Sequence, residues 1–155
     1  MKSFSIFLIF SFVFLHNSNA QQTYTWNEYG IGFTLADDFV EEANSIDEFS
    51  ATGDGMSMSI IPFKDSSVSD NDITAYTIEI AQSLNLQEID DVNVLEMNDF
   101  IGGYVEGYKD GVKIFLMGLI DPDTDTNFFV IITFVDQDVN ATEEAINIVT
   151  SIHKL

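Results

Sequence analysis

The side chains able to carry chemistry in this 155-residue chain are few in kind: 26 Asp or Glu, five Lys, two His, and neither Arg nor Cys. Without cysteine there is no thiolate nucleophile, no disulfide framework and no Cys-ligated zinc. Without arginine, the planar fork that clamps phosphate or carboxylate substrates is missing. General-base and triad catalysis lean on histidine. Of the two, His16 lies in an apolar N-terminal segment, and His153 is the third-last residue. Helical periodicity places His153 in the last turn of a closing helix, where it and Lys154 would complement the helix dipole. That is a structural role.

Two spacings point to a site. Asp121, Asp123 and Asp125 alternate in Asp121-Pro122-Asp123-Thr124-Asp125-Thr126-Asn127, which is how calcium loops present oxygen ligands. Against the twelve-residue calcium loop, Thr126 replaces the glycine at the sixth place and Ile132 the bidentate Glu at the twelfth. The reading is a solvated hairpin loop with weak calcium binding as its functional alternative. Tyr104, Glu106 and Tyr108, with Gly102 beside them, fall on one face of a strand and form a candidate contact surface for a protein or sugar. Packing beneath a helix is the competing reading. Paired carboxylates could also run glycan hydrolysis, but among 26 acids no one pair stands out, and the lone Trp26 makes no extended sugar platform. Asn140-Ala141-Thr142 matches a glycosylation sequon, with Asn140 also placed to cap a helix.

The elements that must position these residues begin after an export segment. Lys2 supplies a positive start, Phe4 to Leu15 is apolar for twelve residues, and Ser18-Asn19-Ala20 fits signal-peptidase cleavage. Residues 1–20 are therefore expected to be removed, leaving one domain over 21–155, secreted or periplasmic. Twelve helical residues cover only about 18 Å of a roughly 30 Å hydrocarbon core, so the segment is no membrane anchor. The mature chain holds four lysines against all 26 acids, a formal charge of −22. Such a surface repels phosphate backbones and anionic headgroups, which argues against nucleic-acid or lipid-surface binding. It suits either plain solubility or a protein or cationic partner.

Short strands are expected around Tyr29-Gly30-Ile31-Gly32-Phe33. Further strands follow at Glu48 to Thr52 and Met56 to Phe63 around a Gly53-Asp54-Gly55 turn, with Pro62 at an end or edge. Ile73, Tyr76, Ile80 and Leu84 give a helix over about 72–84, capped by Asp70 or Asn71. A meander of four strands comes next (Glu88 to Met97, Phe100 to Lys109, Val112 to Asp121, Asn127 to Asp136). Asp110-Gly111 is its clearest hairpin signal. In Val112 to Ile120 and in Phe128 to Val135 both faces are apolar, so that sheet requires cover on both sides. A closing helix starts at Asn140-Ala141-Thr142-Glu143, read as a capping box, and turns Ala145, Ile148, Val149 and Ile152 inward. The fold class is α+β: a single-domain three-layer sandwich, mainly antiparallel sheet, with helices on both faces.

Tyr29-Gly30-Ile31-Gly32-Phe33-Thr34-Leu35 followed by Asp37-Asp38-Phe39 resembles the opening of the PsbP-like (DcrB-like) α/β/α sandwich family. Ala36 stands where that family usually has proline, and Phe39 where tryptophan is frequent. Ala145 to Ile152 resembles the family's final helix, closing on a Ser and an apolar residue, and Gly103-Tyr104 its glycine-bearing strand. The resemblance spans nearly the whole mature chain and marks packing positions. It implies a docking or assembly protein and carries over no catalytic residue; no cofactor is expected. The reading is a secreted non-catalytic binding module, with a carboxylate-dependent glycan hydrolase or a calcium-stabilised domain as alternatives.

Overall fold

The computed structural model describes residues 21–53, 55–64, 72–134 and 140–155. The expected export segment, Asp54, the Asp70 and Asn71 caps, and the strand residues Val135 and Asp136 lie outside the described residues. Ten strands and two helices are described, in an α+β arrangement with antiparallel pairing throughout.

The chain opens with a hairpin of β1 (Gln21–Trp26) and β2 (Ile31–Ala36). Gly30, at φ +62°, takes the left-handed position that closes it. β3 (Val40–Asn44), β4 (Phe49–Gly53) and β5 (Met56–Lys64) follow. Then come α1 (Ile73–Ser83), β6 (Asn93–Glu96), β7 (Ile101–Lys109), β8 (Val112–Ile120) and β9 (Thr126–Phe134). α2 (Ala141–Thr150) and β10 (His153–Lys154) end the chain.

Seven strands form the large sheet in the order β3-β4-β5-β9-β8-β7-β6, and β1-β2-β10 form the small one. The expected meander is present. Asp110 and Gly111 both have positive φ (53° and 81°), so a two-residue turn joins Lys109 to its partner Val112. Pro62 lies beyond the last β4–β5 pair, Phe49 with Ile60, while β5 continues against β9 alone. The missing N–H therefore falls on an open stretch of the strand.

The two apolar faces of β8 and β9 enter different cores. Phe115, Met117, Leu119, Phe128, Val130 and Ile132 pack with Trp26, Phe33 and Leu35 of the small sheet and with Ala145, Ile148 and Val149 of α2. Ile114 and Leu116 join Val105, Ala81 and Leu86 in a second cluster beside α1, which packs on β7 and β8. Trp26, Phe33, Phe49 and Phe115 are fully buried. Each such side chain contributes on the order of 1.5–3 kcal/mol through area removed from water.

Three local expectations need correction. α1 buries Ile73, Thr77 and Ala81, with Tyr76, Ile80 and Leu84 on the flank, because small residues let the helix approach the sheet closely at Gly103 and Gly118. An alanine Cβ at Gly118 would lie 3.0 Å from Ile73 Cδ1 and 3.1 Å from Thr77 Oγ1. Asn140 precedes α2 but its side chain makes no capping hydrogen bond, so the capping box does not form. Finally, α2 stops at Thr150, and His153 with Lys154 leaves the helix to pair with Gly32 and Ile31 of β2. Pairing with β2 satisfies backbone groups there, and neither residue complements the helix dipole.

Candidate functional site

Alternation along β7 puts Tyr104, Glu106 and Tyr108 on one side and Gly103, Val105 and Gly107 on the other. The first three do not form a common exposed patch. The Tyr104 ring stacks on buried Phe115 with centroids 4.6 Å apart, and burial, then Glu106 and Asp90, push its hydroxyl above the usual phenol range. Glu106 is paired at 2.5 Å with Lys113 Nζ. Tyr108 is the exposed member, its backbone bridged to Gln87.

Lys113 organises this corner, and sequence reasoning passed over it. Its ammonium pairs Glu106, donates to Thr142 Oγ1 at 2.8 Å, and sits 5.5 Å over the Phe134 ring. The available signal was a lone cation inside an apolar strand, two positions from Phe115 on the same face. Through Thr142, Lys113 connects the β7–β8 surface to the first turn of α2, where Glu143 and Glu144 complement the helix dipole.

At the opposite end of β8, the aspartate loop is organised around a lysine. Lys154 Nζ donates to Asp121 Oδ1 at 2.6 Å and to Asp123 Oδ2 at 2.8 Å, and lies 5.6 Å over the Phe100 ring. Asp121 also accepts from the Asp123 amide (2.8 Å) and the Thr124 hydroxyl (3.1 Å), while its own amide donates to Asn127 Oδ1 at 3.0 Å. The Lys154 amide donates to Asp99 Oδ2 at 2.9 Å. Burial pushes the Asp121 carboxyl up, but the bonds from Lys154, Asp123 and Thr124 outweigh it and hold the group below the usual carboxylate range. Burial lowers Lys154, and its two carboxylate partners more than reverse this. Asp125 is exposed and takes no part in the network. Two of the three expected calcium ligands thus surround an ammonium. Among the described residues no group of three or more His, Cys, Asp or Glu could hold a metal ion.

A concave site opens where α2 crosses β2. A groove of about 430 Å³ is lined by Gln21, Thr34, Ala36, Glu143, Glu144 and Asn147, with Ser151 in its lining as well. Ser151 Oγ accepts from the Thr34 amide at 2.9 Å and donates to the Ile148 carbonyl at 2.6 Å. That hydroxyl is committed to holding α2 on β2. His153 Nδ1 lies 2.8 Å from the Ser151 carbonyl, and its ring passes so close to Gly32 that a Cβ there would meet Nε2 at 2.8 Å. The imidazole therefore packs on β2. The groove presents carboxylates, amides and a small apolar floor, which suits recognition of a polar or cationic group.

No family model matches the chain, and no curated protein matches it in sequence. Solved structures do match. The Ran-binding protein Mog1p of Saccharomyces cerevisiae superposes with a TM-score of 0.64 at 12% identity, covering 88% of this chain and 96% of that one. The cyanobacterial PsbP of Synechocystis sp. PCC 6803 gives 0.57 at 11%, covering 88% and 94%. LpqN of Mycobacterium tuberculosis, involved in cell envelope biogenesis, gives 0.51 at 12%, covering 86% and 89%. The coverage is near end to end on both sides, and this chain has the fold of the PsbP/Mog1/DcrB-like group, the group its opening and closing segments resemble.

Proposed function

We propose that the chain is an exported, non-catalytic binding or assembly module that docks a protein partner through a cationic patch. The docking surface is the groove between α2 and β2, and it extends over the first turn of α2 toward Lys113, Glu106 and exposed Tyr108. In this reading the sandwich has three layers: α1, the large sheet, and the small sheet together with α2. Export rests on the N-terminal pattern of residues 1–20.

The observation that carries the reading is the groove's chemistry. The Ser151 hydroxyl in its lining is tied to Thr34 and Ile148, and Glu143 and Glu144 stand beside it on a chain of formal charge −21. Carboxylate-lined concavities attract and orient cations, and the whole-molecule field steers them there. The fold supports the same reading, since Mog1p is a Ran-binding protein and LpqN is involved in cell envelope biogenesis.

The test is chemical crosslinking of the exported chain in its native surroundings, followed by mass spectrometry. Crosslinks should map to α2 and β1–β2. The combined Glu143→Lys and Glu144→Lys variant should lose them while keeping its circular dichroism spectrum. Retained crosslinks in that variant, or turnover of a glycan panel by the wild-type chain, would sink the proposal.

A further inference from the structure

We infer that Gln21 is a modification site: as the first residue of the exported chain it closes on itself to an N-terminal pyroglutamate. The inference rests on the export reading above, because Gln21 carries a free α-amine only if residues 1–20 are removed after Ala20.

The chemistry is intramolecular and complete without a co-reactant. The Gln21 α-nitrogen attacks its own side-chain amide carbon, and a C–N bond forms there. The bond from that carbon to the side-chain nitrogen breaks, and the nitrogen departs as ammonia with the proton shed by the amine. No oxidation state changes. The five-membered lactam keeps one N–H and one carbonyl.

The fold leaves this reaction room. Gln21 is exposed and opens β1 at the lip of the groove between α2 and β2. Its cross-strand partner is Ala36, the smallest side chain that an L-residue can offer there. The pairing continues with Gln22 against Leu35, so register is held from the second residue onward. Ring closure fixes only the torsions of residue 21, which by then has no preceding peptide to displace.

The product changes the site in two ways. It removes an ammonium from the end of β1, so the groove keeps its Glu143 and Glu144 lining with no cation from the chain's own terminus beside it. It also blocks the end of an edge strand to aminopeptidases, at a place where β1 pairs on one side only.

The experiment is to express the full chain with its leader in a secreting host, purify the exported protein, and measure its intact mass together with its susceptibility to stepwise N-terminal degradation. The expected result is a mass one ammonia below that of residues 21–155 and a blocked end. A Gln21→Asn variant, which cannot form this lactam, should be exported, stay linear and read from residue 21. A linear mass with a readable Gln21 overturns cyclisation and leaves export standing. A chain that keeps residues 1–20 overturns the export reading and this inference with it, and an exported chain that starts at another residue overturns this inference alone.

Discussion

Thr77 and Gly103 meet at the place where α1 touches the large sheet: the threonine hydroxyl donates toward the Gly103 carbonyl at 3.1 Å and toward its own helix at Ile73 at 2.8 Å. A polar side chain with no solvent exposure thus acts as the contact point of a helix on a strand. It is tolerated because its hydrogen is used.

Close approach at Gly118 gives the first prediction. Gly118→Ala pushes a methyl against Thr77, whose rotamer is held by those bonds, and overpacking of this kind costs about 1–3 kcal/mol. Urea unfolding should show a lowered midpoint at unchanged slope. An unchanged midpoint would mean that α1 does not sit where the structure puts it.

The second concerns Lys154. Lys154→Met removes the partner of buried Asp121 and leaves that carboxylate with two donors only, which should cost roughly 1–3 kcal/mol. In a double-mutant cycle with Asp121→Asn the two losses should be strongly non-additive. Additive losses would separate the residues that the geometry joins.

pH dependence follows from the same pair. Asp121 is held below its unfolded value, so its contribution is present above about pH 4 and disappears as pH falls through the depressed native value. Lys154, Tyr24 and Tyr29 are raised, so their contributions are complete below about pH 10 and disappear as pH rises through the native values. The tyrosine hydroxyls donate to the Phe39 and Ile46 carbonyls, both at 2.7 Å, bonds that ionisation abolishes. Thermal melts across pH should therefore fall on both limbs. Asp121→Asn should flatten the acid limb, and an unaffected acid limb would count against the assignment.

Ionic strength supplies a fourth prediction. With four lysines against 26 acids after residue 20, self-repulsion opposes the compact state. Raising salt from about 10 mM to about 500 mM shortens the screening length from about 30 Å to a few Å and should raise the melting temperature. A fall would mean that attraction at pairs such as Lys113 with Glu106 outweighs the repulsion.

The Asp110-Gly111 hairpin, the two-faced strands β8 and β9, and the existence of both helices were legible along the chain, because turn chemistry and hydrophobic period are local properties. β3 was not. Its Val40, Glu41 and Glu42 are exposed in succession, and a sheet edge with a register shift at Glu41/Ala43 shows no alternation to detect. The inner stripe of α1 was misplaced toward Tyr76 and Ile80, since hydrophobicity ranks large residues above the small ones that allow close contact. β10 was hidden because Ile152 continues the apolar spacing of α2 past the point where β2 captures the chain.

What the amino-acid order determined by itself was the set of available chemistries, the charge, the α+β class and the apolar positions. The partners of the chemical groups were decided only by tertiary structure. Lys154 lies 33 residues from Asp121, and Ser151 lies 117 from Thr34. Such contacts depend on which strands pair and where a helix crosses them, and that arrangement is fixed by burying two apolar faces at once, a requirement of the whole chain that no short window of sequence contains.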